Sequence, residues 1–442
     1  MNWKKATGIM LGLTACIGLF VSVCIASDGP GREALTLDAA YRIALQNNEQ
    51  VQVSRERLNQ AKQDIDVATA ELYPQISAEA SWNRQKETTL GTLSNPDEYG
   101  LFTIRADQHL YQWGKVWSGR QIAEHFFQSS RFRHARRLQE IMFRVSSRYY
   151  EALLGRRSIE IAKNALTRAQ RQLDRAKGRF EVGVVTKTDV LRAQVQVAQA
   201  QEQLERAKNQ YDVALENLAL EIGLDEVPGE VKEPPTKSFK AEPMPRLIDR
   251  ALEKRRDLKQ ARKEVKASLQ RVDFEKADYF PRLSMEGEYT RTNEERLFYG
   301  EESDWNVALK VSYPLFTGGR DVAEIDRARS KWREAKVSLK RLQREIRTEV
   351  RSVYLDIRTQ RQVIEQLKEQ VETARRNYEQ VTAQFEEGVA SAVDQVDAFT
   401  SLNEAENRLA QAHFTYQLDL VRLELAMGTF QTELLAKEGM DR

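Results

Sequence analysis

The sequence repeats itself once, at an offset of 205 residues, and this duplication constrains the fold more than any other feature. The stretch Gly178-Arg179-Phe180-Glu181-Val182-Gly183-Val184 returns as Ala383-Gln384-Phe385-Glu386-Glu387-Gly388-Val389, and Asp189 and Gly223 return as Asp394 and Gly428. The apolar heptads agree to the residue: Ile159, Ala162, Leu166, Ala169, Leu173, Ala176 and Phe180 map onto Ile364, Leu367, Val371, Ala374, Tyr378, Val381 and Phe385. Two long units rather than many short ones imply a duplicated fold, not a solenoid. Any function must therefore use both halves in similar roles.

For 442 residues the length prior suggests two or three domains, but the duplication implies halves intertwined in one architecture. Charged residues make up 30% of the chain, yet the net charge is only +2, so no global field favours nucleic acid. Lys and Arg alternate with Asp and Glu as on the solvated faces of long helices. Proline is absent between Pro96 and Pro228 and again after Pro314, which leaves room for very long uninterrupted helices.

Lys4 and Lys5 followed by the apolar run Ala6 to Ala26 read as a secretory signal over residues 1–26, cut after Ala26. A lipoprotein reading competes, because Leu13-Thr14-Ala15-Cys16 fits a lipobox and would place lipid on Cys16; an uncleaved anchor is a third reading. With the cut after Ala26 both cysteines leave, and stability must come from packing and assembly rather than disulfides.

Thr36 is a plausible N-cap for one amphipathic segment running to about Tyr73, where Tyr73-Pro74 ends it; Phe280-Pro281 ends its counterpart. The period then changes from 3.6 to 2. Ile76, Ala78, Ala80 and Trp82 alternate with polar residues, as do Phe102, Ile104, Ala106 and Leu110, then Leu283, Met285, Gly287 and Tyr289, then Trp305, Val307, Leu309, Val311 and Tyr313. This predicts strands at about 75–85, 101–111, 282–291 and 305–315, the length that crosses an outer membrane at a tilt. Polar loops join the pairs at Glu87 to Gly100 and Thr292 to Asp304. After each pair a helix of about 60 residues, roughly 90 Å long, runs to Phe180 or Phe385, and the turns at Gly183 and Gly388 reverse the chain into a heptad-patterned return helix. The first repeat then spans 27–222 and the second 246–428. The linker 223–245, holding five of the ten prolines, is expected outside as an irregular belt, and 429–442 is a tail.

Glu79, Arg105, Asp107, Glu286, Glu288 and Lys310 lie on the strand face opposite the apolar one, which suits a lipid-facing barrel with a polar interior better than a soluble sandwich. Four strands cannot close a barrel, and an open edge has no partners for its N–H and C=O groups in hydrocarbon. The strands must be pooled. A dimer gives eight with a filled interior; a trimer gives twelve with a wet lumen, which suits a wide ring of long helices continuing below.

At this point the chain resembles the TolC-type outer-membrane efflux factor family. The resemblance rests on the duplicated helix–strand–strand–helix–helix order, on Tyr73-Pro74-Gln75-Ile76 and Phe280-Pro281-Arg282-Leu283 before the strands, and on Pro314-Leu315-Phe316-Thr317-Gly318-Gly319 after the last one. The tips Phe180-x-x-Gly183-Val184 with Asp189 and Phe385-x-x-Gly388-Val389 with Asp394 and Asp397 complete it. The family implies a mainly α fold with a transmembrane β-barrel part: a homotrimer with a twelve-strand barrel and a long periplasmic tunnel of coiled-coil helices. It also implies work as the outer-membrane exit duct of an inner-membrane pump, of RND or ABC type, joined through a periplasmic adaptor. Some relatives carry lipid on an N-terminal cysteine, which bears on Cys16.

Two candidate sites follow. Val182, Gly183, Val184, Glu387, Gly388 and Val389 form exposed tips that, on the resemblance, dock the adaptor. Thr186-x-x-Asp189 and Ser391-x-x-Asp394 have capping-box spacing behind them. Asp394 and Asp397, one helical step apart, have no equivalent pair in the first half, where Asp189 is followed by Arg192. In a trimer they would form a six-carboxylate, cation-binding ring at the periplasmic gate, and the family places an acidic ring there. Phe385 and Ala390 stand where relatives use a Tyr and an Arg to latch the entrance, so that latch does not carry over.

The four histidines, His109, His125, His134 and His413, show no ligand spacing, and no phosphate-cradling loop, nucleophile elbow or dinucleotide fingerprint occurs. We read no enzyme, no cofactor and no nucleic-acid partner; Arg131, Arg133, Arg136, Arg137, Arg144 and Arg148 read as a solvated face of a long helix, or one contacting lipopolysaccharide or a neighbouring protomer. The rival function is a non-transporting coiled-coil tether in the envelope, which explains the heptads but not the four amphipathic strands.

Overall fold

The structure is a computed structural model that describes residues 34–84, 98–237, 239, 242–292 and 303–437. The signal segment with Cys16, and most of both strand-connecting loops, lie outside the described residues. Each half contributes two short helices, a strand pair, one very long helix and a return helix. In the first half these are α1 (Leu37–Asn47), α2 (Glu49–Ala70), β1 (Gln75–Arg84), β2 (Glu98–Tyr111), α3 (Lys115–Glu181) and α4 (Lys187–Ile222). In the second they are α5 (Met244–Lys254), α6 (Arg256–Lys276), β3 (Arg282–Thr292), β4 (Ser303–Ser312), α7 (Arg320–Glu386) and α8 (Ala392–Ala426), followed by a short α9 (Thr432–Lys437). The long helices have 67 residues each, about 100 Å at 1.5 Å per residue.

The segment before each strand pair is two helices rather than the single one expected. Thr36 caps α1, accepting from the Ala39 N–H, but Asn48 turns to an extended conformation at φ −63°, ψ 125°. Its Oδ1 accepts from the Gln50 N–H at 2.9 Å, capping α2, while its Nδ2 donates to the Glu221 carbonyl at 2.8 Å. Arg255, with φ −59° and ψ 129°, makes the equivalent break in the second half. It is buried against Asp257 and Glu349 and donates to the Ala426 carbonyl at 3.2 Å. Burial opposes its charge, but the bound Asp257 carboxylate holds the guanidinium above its ordinary pKa. The end of each return helix is thus stitched to a break in the paired short helices. Gly223 and Gly428, at φ 75° and 70°, let the backbones meet there.

The strands form one antiparallel sheet in the order β1-β2-β3-β4, so the halves join at β2–β3 and both outer edges are open. Direct partners share a face, and one face collects Ile76, Ala106 and Gly287 with Val307, then Ala78, Ile104, Tyr289 and Trp305. Ile76, Trp82, Val307, Leu309 and Val311 are all exposed in the single chain. The other face carries the row Ser77, Arg105, Glu288, Asn306, with Arg105 bonded to Glu288 at 3.0 Å and Lys310 to Glu286 at 3.2 Å. An irregularity between His109 and Tyr111 places Tyr111, not Leu110, opposite Leu283. β2 begins three residues before the expected start, because Glu98 pairs with Arg84. β4 stops at Ser312, since Pro314 has no N–H for a ladder.

Two cores sit near the middle of the long helices. Leu138, Met142 and Tyr149 of α3 pack with Tyr41, Leu218 and Ile222, and Ile346, Val350 and Ile357 of α7 pack with Leu247, Leu258 and Leu423. The linker is not wholly external: Val231 is fully buried in the first core and bridges Leu35, while the Tyr149 hydroxyl donates to the carbonyls of Leu35 and Lys232. α3 packs on α4, α2, α6 and α8 and is enclosed; α7 packs on α8, α6 and α5 and stands at one flank.

Candidate functional site

The helix tips farthest from the sheet are built by backbone geometry first. α3 ends with the Val184 N–H bonded to the Arg179 carbonyl and the Gly183 N–H to that of Phe180, each at 2.9 Å. The Val389–Gln384 and Gly388–Phe385 bonds, 2.8 and 3.1 Å, repeat this at the end of α7. These are Schellman caps, which need a left-handed residue; Gly183 and Gly388 supply it at φ 77° and 80°. Val182, Val184, Glu387 and Val389 project into solvent around them, the three valines 58–75% exposed.

The return helices then start with complete capping boxes. The Asp189 N–H donates to Thr186 Oγ1 at 3.3 Å and the Thr186 N–H to Asp189 Oδ2 at 2.9 Å; Ser391 and Asp394 do the same at 3.2 and 2.9 Å. Asp394 is therefore committed to the cap through one carboxylate oxygen. The Ser391 hydroxyl and then its backbone N–H hold this carboxyl below the ordinary carboxylate range. The cap is thus intact at neutral pH, and its contribution is lost only as pH falls through that depressed value. Asp397 lies one turn further on, exposed on the same side of α8 as Asp394, while Gln395, Ala398 and Phe399 turn inward.

Sequence spacing did not reveal what joins the tips. Arg175 pairs with Glu386, and Arg179 donates to the Phe385 carbonyl at 2.6 Å while lying over the Phe385 ring. Arg168 reaches Asn403 at 2.6 Å and Glu406 at 3.0 Å, and Gln172 donates to Gln395 at 2.5 Å in a buried pair. These bonds tie the end of α3 to the second half's tip. Their partners are more than 200 residues away, each arginine reads in sequence as a solvated helix face, and Gln172 lies off the heptad seam of Ala169, Leu173 and Ala176 that the sequence shows. Above them α4 and α8 flank a groove of about 460 Å³ with Ala162 and Ala165 at its floor.

A sheet with one apolar and one polar face, two open edges and 100 Å helical extensions narrows the comparison sharply. The profile of the outer membrane efflux protein family matches residues 40–224 and 247–429, two segments that follow the duplication. The chain belongs to the outer membrane efflux protein family. Among curated relatives it is 26% identical to the outer membrane protein TolC of Vibrio cholerae over 426 residues, covering 94% of this chain and 95% of that one. It is 27% identical to the alkaline protease secretion protein AprF of Pseudomonas aeruginosa over 417 residues, 89% of this chain and 85% of the relative. Solved structures agree on the fold: CusC superposes with a TM-score of 0.77 at 16% identity, over 89% of this chain and 92% of that one. The CmeC outer membrane channel of Campylobacter jejuni gives 0.77 at 17% identity, over 92% and 89%. This family member is therefore an outer-membrane protein of mixed β-barrel and α-barrel architecture with a long periplasmic helical part.

Proposed function

We propose that three copies of the chain form the outer-membrane exit duct of a tripartite efflux or type I secretion system. The observation that carries this reading is the open, two-faced sheet. Its β1 and β4 edges demand partners in a membrane, and its charged face, with Arg105, Glu288, Glu286 and Lys310, suits a wet lumen. Twelve strands then close one barrel over a continuous helical tunnel.

In this reading an inner-membrane pump of RND or ABC type delivers cargo through a periplasmic adaptor, which meets the duct at the Val182–Val184 and Glu387–Val389 tips. The relatives named for alkaline protease secretion and pyoverdine export handle cargoes of very different size, which supports a permissive lumen with selection left to the pump. Purified protein reconstituted in a planar bilayer should conduct ions, and its mass should be that of a trimer. Photocrosslinkers at Val182 and Val389 in cells should capture one adaptor. A folded preparation that never conducts would instead support the envelope tether.

A further inference from the structure

The duplication contains a template for a joint that one chain cannot make with itself. The two repeats meet where α3 packs on α6 and β2 pairs with β3. Polar contacts mark this joint along its length. Arg105 meets Glu288 at 3.0 Å in the sheet, Lys115 meets Asp278 at 2.6 Å just below it, and Ser129 and Arg133 both meet Glu264 at 3.0 Å further down the helices. The repeat-equivalent surfaces are α7 with β4 at one flank and α2 with β1 at the other. Within the chain α7 packs on α8, α6 and α5, and α2 packs on α3 and α1.

Landmarks at both ends of each element fix the equivalence. α3 and α7 run from Gly114 and Gly319 to Gly183 and Gly388, both pairs 205 residues apart. α2 and α6 run from the breaks at Asn48 and Arg255 to Tyr73-Pro74 and Phe280-Pro281, both 207 apart. The strands keep the same offsets, since Ala78 pairs with Ile104 as Met285 pairs with Leu309. By these offsets Lys115 and Asp278 return as Arg320 and Glu71, and Ser129 and Glu264 return as Glu334 and Arg57. Between them, Ile122 and Arg271 return as Arg327 and Asp64.

Arg320, Arg327 and Glu334 are seven apart, as are Arg57, Asp64 and Glu71, so each trio lines one face of its helix. All six residues are exposed. Among the described residues Glu71, Asp64, Arg57 and Glu334 have no ion-pair partner in the chain, and Arg320 and Arg327 have only loose ones, Asp321 at 3.6 Å and Glu324 at 3.7 Å. Antiparallel alignment of the trios sets opposite charges together at all three levels. A slide of one heptad in either direction creates a like-charge pair, Arg327 with Arg57 or Glu334 with Asp64.

We propose that neighbouring copies join by repeating the internal joint, with Arg320, Arg327 and Glu334 of one copy on Glu71, Asp64 and Arg57 of the next. This joint presupposes the oligomer inferred above and adds to it the faces that meet and their register. Single exposed pairs contribute little to stability. Three together select one alignment, and that alignment seats β4 of one copy beside β1 of the next.

Thiol crosslinking of the purified full-length oligomer tests the alignment. Asp64→Cys with Arg327→Cys should be linked into dimers and trimers by a short bismaleimide. Asp64→Cys with Asp326→Cys should be linked about tenfold less, because its second cysteine sits about 100° round α7. Arg320→Glu, Arg327→Glu and Glu334→Arg together should raise the concentration at which the oligomer dissociates by about tenfold or more, since three pairs become repulsive at once. Adding Arg57→Glu, Asp64→Arg and Glu71→Arg should restore it. Wild-type oligomer stability in the α7 triple variant, or equal crosslinking by the two cysteine pairs, would overturn this joint while leaving the oligomer in place. A wild-type chain that stays monomeric would instead overturn the oligomeric reading, and the joint with it.

Discussion

Four glycines at helix ends share a left-handed conformation but not an environment. Around Gly183 and Gly388 an added Cβ meets open space, whereas at Gly223 it would lie 2.7 Å from the Asn47 carbonyl carbon and at Gly428 2.9 Å from the Arg255 backbone. Gly183→Ala and Gly388→Ala should therefore cost only the backbone term, about 1–2 kcal/mol. Gly223→Ala and Gly428→Ala add overpacking against backbone that cannot rotate away, about 1–3 kcal/mol more. Thermal unfolding should show clearly lower midpoints for the second pair. Equal midpoints across all four would mean that the helix breaks at Asn48 and Arg255 are not pinned by these contacts. The equal spacing of the glycines was legible in the sequence; their different surroundings were not, because Asn47 and Gly223 are brought together only by the folded first core.

At the scale of elements, the period-2 segments were readable because a strand at a lipid boundary sorts its side chains by solvent. The bulge near Leu110 was not, since one extra residue leaves no mark on composition. Orientation remains directly testable. Cysteines placed singly at Glu79 or Lys310 should react quickly with a polar thiol reagent, and those at Ile76 or Val307 slowly; equal rates would contradict the assignment of faces. Val307→Arg should destabilise the barrel by about 2–4 kcal/mol if the residue lies near the midplane, read as a loss of heat-resistant oligomer on gels. The tips give a second element-level test. Neither Gly183 nor Gly388 has a neighbour within 4 Å of an added Cβ, so Gly183→Arg with Gly388→Arg should leave barrel and oligomer intact while abolishing export. Normal export by an oligomeric double variant would place adaptor docking elsewhere. Glycine turns and capping boxes are local and were visible in the residues; the Arg175–Glu386 and Arg179–Phe385 ties are long-range and were not.

The whole molecule decides the meaning of Asp394 and Asp397, because a ring exists only in an oligomer. In the single chain Asp394 caps α8 and Asp397 stands exposed one turn on, an arrangement the first half cannot match because Arg192 occupies the second position. Capping accounts for Asp394 alone. It leaves Asp397 unexplained, and it leaves one oxygen of Asp394 outside the cap. Three copies would then place six carboxylates around one axis, attracting cations and repelling anions from the conducting path. Asp397→Ala should thus lower cation selectivity of the trimer in planar bilayers and weaken its block by multivalent cations, without loss of helix stability. Asp394→Ala should do both and also destabilise the tip, because the Ser391 N–H loses the acceptor that closes the capping box. Asp394→Asn tests the separation, since it removes the charge while an amide oxygen can still accept from the Ser391 N–H: selectivity should fall with the tip held. Selectivity and block unchanged in the Asp394→Asn, Asp397→Ala double variant would put these carboxylates outside the pore and leave Asp394 as a cap alone.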